Sequence, residues 1–580
     1  VSPYRAPGVH ITAVDAERIA ETTLEYGWYA PMARRMVSFE DLRFEDPAHS
    51  ESTRRSLHAW EPIDPLLLVS TEPPSAALEG AAAYAHSWIE WTPDPLEPEL
   101  GTAGRRAVRL AFLAATHPSD RIADAAAELE VALAGAIDPS DGTLATLDAI
   151  TGLLSLLRRS DDVTSHPVDA ATVRSWLAVH LDAAFTSDGV HRSQAPGIQQ
   201  QAIDRLAMLI DARIVSDPEL TEVRNRAEHA LAWFITPDGT PANFGATPSH
   251  AVSSAYDPIP SGVRHLPDRI SEPTLLYASS RGRYGTRPEV TRLVLREGGF
   301  FVVKEPWPAR ALEDTPLVHL QARTGPPVGG TGIDAGLAFT WHDAGRKLIV
   351  EPGPAPAGES DSVSRYADEP DAHNRIVRSG PENAQPHLAI DSTASGALSG
   401  GLQRWGVMEG AYFCDSYEST AGLGHRRSLL YEPGAWLIVA DVIDAPPDET
   451  MGPRFHLADD LGIRHDTAGF TWLDGPRPIG WAVSLSHHEA MTPQRGVDRP
   501  RASGWWSPDG ERMVPNWVFG WDAVGPTTFV TLLALDRYPT VEQRQGAWFG
   551  WRTSGYQARV AVTEWGIVDI DIRQTADQGT

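Results

Sequence analysis

One cysteine, Cys414, and two lysines, Lys304 and Lys347, are all that the 580-residue chain has of those residue types. A single cysteine excludes an intrachain disulfide framework and any thiolate-rich metal cluster; it reads as a small buried apolar residue in a strand. No apolar run reaches the roughly 18 residues of a membrane span. The opening VSPYRAPGVH has neither a basic n-region nor an apolar h-region, so no signal peptide is visible. The expected location is the cytoplasm, or outside the cell after removal of a signal not seen in this chain. P-loop, GxSxG, HExxH and strand-following GxGxxG signatures are also missing, which removes the common nucleotide, esterase and zincin readings and leaves no organic cofactor expected.

The formal charge of −28 argues against nucleic acid or an anionic membrane as partner. It also disfavours a heavily sulfated substrate unless arginines cluster locally. Arginine is the better carboxylate clamp, although the arginine bias follows equally from a GC-rich genome. Nineteen tryptophans suit stacking on sugar rings as well as core filling.

A chain of this length exceeds the about 250–300 residues of one core, so at least two domains are expected. From about Asp15 to Phe234, Ala/Leu-rich stretches of helical period alternate with Asp, Pro, Gly and Ser breaks. Ser119-Asp120 and Ser216-Asp217-Pro218-Glu219 read as helix starts, and 138–142 and 237–239 as turns between antiparallel helices. Without a fixed-period repeat, an incomplete (α/α) toroid is favoured over a solenoid. Residues 241–290 read as a linker or loop. From Arg292 onward, short β-branched and aromatic runs predict a large antiparallel β-sandwich, with hairpin turns at 343–346 and 432–434. The expected fold is α+β multidomain, with a helical toroid at 1–270 and a sandwich at 271–580.

The richest polar segment runs from His319 to Arg378. Asp334, Glu351 and His373, each at a predicted strand edge, form a two-carboxylate, one-imidazole set suited to a divalent cation such as Zn²⁺ or Mn²⁺. The plain alternative is that the carboxylates cap turns while His373-Asn374 pins a loop.

The order of motifs here resembles the β-domain of heparinase II/III-type polysaccharide lyases. That family typically reads HxHxDxxSF, then GRPLLVDPG, then AHNTV; this chain has Phe339, GRKLIVEPG at 345–353 and AHNRIV at 372–377. HRRSLLY at 425–431 and WLIVAD at 436–441 resemble its following hairpin, with His425 supporting the sheet. In the helical half, DGVHRSQAPGIQ at 188–199 resembles its DGxhxExSPxYH entry to a helix. The resemblance spans roughly residues 80–540. It implies a toroid with a sandwich, a cleft at their junction, and His191 and Gln199 facing Tyr366 and His373.

Lyases of this kind neutralise a uronate carboxylate, remove the C5 proton with a Tyr or His base and protonate the leaving O4. The family's tyrosine and histidine fall at Ile198 and Gln199, its Asn-His pair near Gly142-Thr143, and its HxH histidines near Thr331 and Ile333. The usual catalytic positions are therefore changed. Remaining candidates are His191, Gln199, His319, His342, Tyr366 and His373, with Arg192, His319, Asn374 and Arg375 as substrate contacts. Tyr366 and His373 would be acid and base, with Gln199 donating to the carboxylate. A lyase acting on a uronate-containing glycan by β-elimination is the leading expectation. One alternative is a glycoside hydrolase, drawing on Asp188, Asp334, Glu351, Asp361 and Glu369 and requiring two carboxyls about 5–5.5 Å apart for retention or about 6.5–9.5 Å for inversion. The other is a non-catalytic glycan-binding protein. The glycan is the expected partner, and the oligomeric state stays open, a homodimer included.

Overall fold

The computed structural model describes residues 13–30, 35–39, 42–70, 75–92, 94–158, 166–245, 270–307, 317–325, 336–356, 362–379, 399–420, 423–467, 469–508, 510 and 512–574. Contacts divide the chain into two units, Val1–Arg192 with Ile198–Leu231 and Ala251–Ser280, and Ser193–Gly197 with Ala232–His250 and Arg281–Thr580. The architecture is an incomplete (α/α) toroid followed by an antiparallel β-sandwich. Among the described residues, no helix is long and apolar enough to cross a membrane.

The first unit is built from α1 (Ala13–Tyr26), α2 (Glu51–His58), α3 (Asp64–Val69), α4 (Ala76–Trp91), α5 (Leu100–Thr116), α6 (Asp120–Ala136), α7 (Leu144–Leu157), α8 (Ala170–Ala184), α9 (Pro196–Asp211), α10 (Pro218–Phe234) and α11 (Pro273–Ser279). Short β1 (Trp28–Ala30) and β2 (Arg35–Val37) pair beside α1. The caps sit where Ser, Thr and Asp signals precede apolar periods. Ser119 accepts from the Ile122 amide, Thr143 from Thr146 and Asp169 from Thr172. In α7 every residue from Thr146 to Leu157 is buried, which explains a sequence apolar on all sides. It packs on α5 by backbone approach: a Cβ on Gly152 would lie 2.4 Å from the Gly104 carbonyl oxygen. The stretch read as a linker contains α11. Glu272 accepts from the Leu275 amide at 2.9 Å and proline follows at the first helical position. Pro273 thus starts a helix within a stretch whose composition predicts a linker or loop.

In the second unit, β3 (Arg292–Leu295), β4 (Phe300–Glu305), β5 (Val318–Arg323), β6 (Phe339–Asp343) and β7 (Arg346–Ile349) form a meander in that order. Further strands are β8 (Ile376–Ser379), β9 (Ser399–Met408), β10 (Ala411–Thr420), β11 (Leu423–Glu432), β12 (Trp436–Asp444), β13 (Thr450–His456), β14 (Gly462–Asp466), β15 (Gly469–Asp474) and β16 (Arg477–Ser484). Among the described residues, an eight-stranded sheet runs β14-β15-β16, Thr527–Ala534, then β12-β11-β10-β9. Strict period-2 alternation lets this sheet bury both faces. Leu437 and Val439 enter a core with Phe301, Leu320, Trp341, Phe455 and Trp472. Their neighbours Ile438 and Ala440 enter a second core with Phe549, Trp551 and Val560 of the C-terminal four-stranded sheet. Cys414 lies buried in the first core, as its plain reading expects.

Both hairpin turns read from the sequence are present, and one residue joins them. Ala344 and Gly345 have φ of 49° and 77°, the left-handed pair that a two-residue turn needs. The Asp343 carboxylate accepts from the Tyr431 hydroxyl at 2.6 Å and the Gly434 amide at 3.0 Å.

Candidate functional site

Glu351 follows β7 at the start of the EPG turn, and His373 leaves a short 3-10 turn, Pro370–Ala372, just before β8. The Glu351 Oε2 and His373 Nδ1 atoms lie 2.6 Å apart, and the Asn374 amide donates to Oε1 at 2.8 Å. Both side chains are buried, at 0% and 1% exposure. A carboxylate only accepts, so Nδ1 carries a proton toward Glu351. Nε2 is buried without a hydrogen-bond partner. The arrangement is a carboxylate-oriented imidazole with one nitrogen available to a proton or a ligand.

Asn374 extends the network. Its Nδ2 donates to the Phe339 and Val350 carbonyls at 2.9 and 2.8 Å, while Oδ1 accepts from the His456 amide at 2.8 Å. With its side-chain amide fully engaged at 0% exposure, Asn374 ties the AHN segment to β6 and β13. Tyr366 is also 0% exposed. Its hydroxyl lies 3.1 Å from His456 Nε2 and 3.0 Å from the Asp371 carbonyl oxygen. Burial raises the phenol well above its ordinary range and lowers His456 to about 3. The expected general acid is instead a buried link in a chain from Glu351 through Asn374 and His456 to Asp371. The sequence reading missed His456, because nothing near it in sequence marks it.

Across the five-stranded meander, register lines up four basic residues. Lys304 pairs with His319, His319 with His342, and His342 with Lys347. Lys304 Nζ donates to the Ala232 and Ile235 carbonyls at 3.0 and 2.6 Å, and burial lowers it to about 7. His319 Nε2 meets the Trp233 carbonyl at 2.7 Å; burial, then the Lys304 charge, lower it to about 3. These contacts make His319 a neutral, buried donor to the Trp233 carbonyl of the same unit. Lys347 pairs with Asp238 at 2.9 Å. Although burial opposes it, Lys347 and the Thr236 and Thr240 hydroxyls hold Asp238 well below the carboxylate range.

Beside this row lies a small cavity of about 30 Å³, whose walls include Asn243, Thr340, His342, Glu351 and Trp506. That is room for one or two waters. Asn243 Oδ1, Thr340 Oγ1, His342 Nδ1 and Trp506 Nε1 are buried there without partners. Asn243 Nδ2 donates to Ser507 O at 3.0 Å, which fixes its amide with Oδ1 as the acceptor.

In the helical unit, His191 and Gln199 lie together, but Gln199 serves the backbone. Its Oε1 accepts from the His191 amide at 3.1 Å, and Nε2 donates to Ala227 O at 2.8 Å and Gly189 O at 3.2 Å. An amide with all these groups engaged braces the turn and is not the carboxylate donor expected of it. His191 is 4% exposed, its ring edge-on to Phe185, and burial lowers it to about 4. Arg192 is partly exposed, with its guanidinium 3.4 Å from Asp182 O. The turn at 186–191 recurs at 236–241: Thr186 and Thr236 each donate to an aspartate two residues on. The paired TSDGVH and TPDGTP segments were the legible signal for it.

Arg375 is 7% exposed and lies 4.0 Å from Glu418. His425 bridges Glu418 and Asp441 at 3.2 and 2.8 Å, so it supports the sheet as expected. Asp334 and Asp361 lie outside the described residues. Of the remaining carboxylates in the hydrolase pool, Asp188 accepts from Thr186, Glu351 holds His373 and Glu369 pairs with Arg501. Both Glu351 oxygens already accept hydrogen bonds, and no group of three His, Cys, Asp or Glu ligands occurs among the described residues. Asp334, the third member of the expected cation set, lies outside the described residues.

Residues 291–516 match the family model described as Heparinase II/III-like, C-terminal. The fold is similar to a crystal structure of Heparinase III, with TM-score 0.67 and 12% identity over 99% of this chain and 93% of that one. It is also similar to heparan sulfate lyase HepC from Pedobacter heparinus, with TM-score 0.60 and 14% identity over 99% and 93%. A chondroitinase AC lyase gives TM-score 0.50 and 9% identity over 95% and 87%. No curated protein matches the sequence.

Proposed function

From a chain whose residues 291–516 form a heparinase II/III-like C-terminal domain, we propose a polysaccharide or oligosaccharide lyase that opens a uronate-containing glycan by β-elimination. Its similarity in fold to structures described as heparan sulfate lyase and chondroitinase AC lyase supports the reaction class. The observation that carries the proposal is the Glu351–His373 pair, with Nδ1 held by a carboxylate and Nε2 unpartnered.

In the reaction proposed, His373 Nε2 takes the C5 proton of the uronate. The C5–H electron pair forms the C4–C5 double bond, and the C4–O4 bond breaks. The O4 oxygen leaves with a proton, which the imidazolium can return. Glu351 keeps the ring in the reactive tautomer and offsets the charge gained on protonation. Arg375, two residues along, supplies the counter-charge for the uronate carboxylate. Because His373 is 1% exposed, the sequence of steps includes an opening that uncovers Nε2.

The test is incubation with a panel of uronate polymers while following the ultraviolet absorbance of the conjugated 4,5-double bond. Product without that absorbance indicates hydrolysis, and binding without product indicates a glycan-binding protein. Either result overturns the proposal.

A further inference from the structure

After α10 the chain turns back on itself, and the Ala242 amide donates to the Phe234 carbonyl at 2.7 Å. Asn243, the next residue, meets the turn that carries Glu351. Its Nδ2 donates to the Ser507 carbonyl at 3.0 Å and to the Glu351 carbonyl at 3.4 Å. The Ser507 amide in turn donates to the Pro352 carbonyl at 2.6 Å. The fit is close: Gly353 has φ of 72°, and a Cβ there would lie 2.4 Å from Asn243 Nδ2. The amide of Asn243 is therefore a clamp on the 351–353 turn. Its other end, Oδ1, is buried without a partner.

Asn243 forms part of the walls of the cavity of about 30 Å³, together with Thr340, His342 and Trp506. Thr340 and His342 stand two apart on β6 and so share a face. Thr340 Oγ1, His342 Nδ1 and Trp506 Nε1 are, like Asn243 Oδ1, buried without partners. The chemistry of these atoms selects the occupant. An indole N–H only donates, and an amide oxygen only accepts. A hydroxyl does either, and so does Nδ1 of a neutral imidazole according to its tautomer. Burial keeps His342 neutral. A cation would face the indole N–H of Trp506, and an anion would face Asn243 Oδ1. Water donates twice and accepts twice, which matches the set, and the volume suffices for one or two.

We propose that the cavity holds an internal water that donates to Asn243 Oδ1 and accepts from Trp506 Nε1, with Thr340 and His342 completing its shell. By holding Oδ1, the water keeps Nδ2 turned toward the Ser507 and Glu351 carbonyls. Asn243 is thus a positioning residue, which acts on His373 through the backbone of Glu351. This support serves the Glu351–His373 pair whatever reaction the pair performs.

A crystal structure of the full chain at a resolution that shows ordered water tests the site. A peak within about 3.2 Å of both Asn243 Oδ1 and Trp506 Nε1 is expected. Crystals soaked in rubidium or bromide should show no anomalous signal there. Such a signal, or a cavity without a peak, overturns the proposal. The positioning role has a separate readout by nuclear magnetic resonance in solution. The His373 Nδ1 proton, identified by its absence in His373→Ala, should move upfield in Asn243→Leu as the 2.6 Å contact with Glu351 lengthens. An unmoved resonance in the folded variant overturns that role. Asn243→Ser, which also removes the clamp, gives the same reading if the leucine variant does not fold.

Discussion

Glu351 and His373 are joined by a 2.6 Å contact between Oε2 and Nδ1, with neither side chain more than 1% exposed. Buried charge of this kind persists only when every oxygen and nitrogen has a purpose. Here one oxygen takes the imidazole and the other takes the Asn374 amide. The one atom left over is His373 Nε2, and the proposed chemistry is placed there.

Replacing His373 with alanine is expected to have two effects. Turnover falls by about 10²–10⁴-fold, the usual contribution of a general base. Stability falls by roughly 3–5 kcal/mol, because the Glu351 carboxylate is left buried without its partner. Glu351→Gln keeps the volume and is expected to lower kcat while shifting the pH profile of kcat, since the amide no longer offsets an imidazolium. Steady-state kinetics with urea unfolding of each variant checks both.

Gln199 holds three backbone groups, two in the 188–191 turn and one, the Ala227 carbonyl, in the middle of α10. Gln199→Ala leaves those buried groups unsatisfied and is expected to cost about 2–3 kcal/mol. The kcat of the folded fraction stays unchanged. A large fall in kcat with unchanged stability would restore Gln199 to the chemistry.

Acid sensitivity follows from the buried imidazoles. Burial lowers His319 to about 3, and His191 and His342 to about 4. In the unfolded chain each titrates near 6.5. Between those values the unfolded state binds more protons, so stability is retained above about 6.5 and declines as pH falls toward 4. Unfolding midpoints measured from pH 7 to 4 should drop, and His319→Gln should flatten part of that slope. An unchanged slope in the variant would contradict the assignment of His319 as a neutral donor.

Close approach of α5 and α7 makes Gly152 sensitive to a single methyl. Its Cβ would meet the Gly104 carbonyl at 2.4 Å, and a helix backbone cannot give way as a flexible side chain can. Gly152→Ala is expected to cost about 1–3 kcal/mol despite alanine's better helix propensity. Thermal unfolding of the variant decides it.

The helices and hairpins were legible because their signals are local. Ser119 announces a helix three residues before its cap closes, and the period-2 run at 436–440 announces a strand buried on both faces. The resemblance carried by GRKLIVEPG and AHN pointed to the pairing region of Glu351 and His373. Individual roles were less legible, because they depend on register and burial. Lys304, His319, His342 and Lys347 are scattered over 44 positions yet line up once the strands pair. Tyr366 and Asn374 look like reactive side chains in sequence, and only their hydrogen bonds, to Asp371 and His456 and to Phe339, Val350 and His456, show that they brace the network. Pro273, a loop signal in isolation, starts a helix because Glu272 caps it.

The central claim is tested most directly by ultraviolet absorbance of the full chain incubated with a panel of uronate polymers, run beside His373→Ala. The account predicts absorbance of the conjugated double bond with at least one polymer, and its loss in the variant. Cleavage without that absorbance, or full activity in His373→Ala, would contradict it.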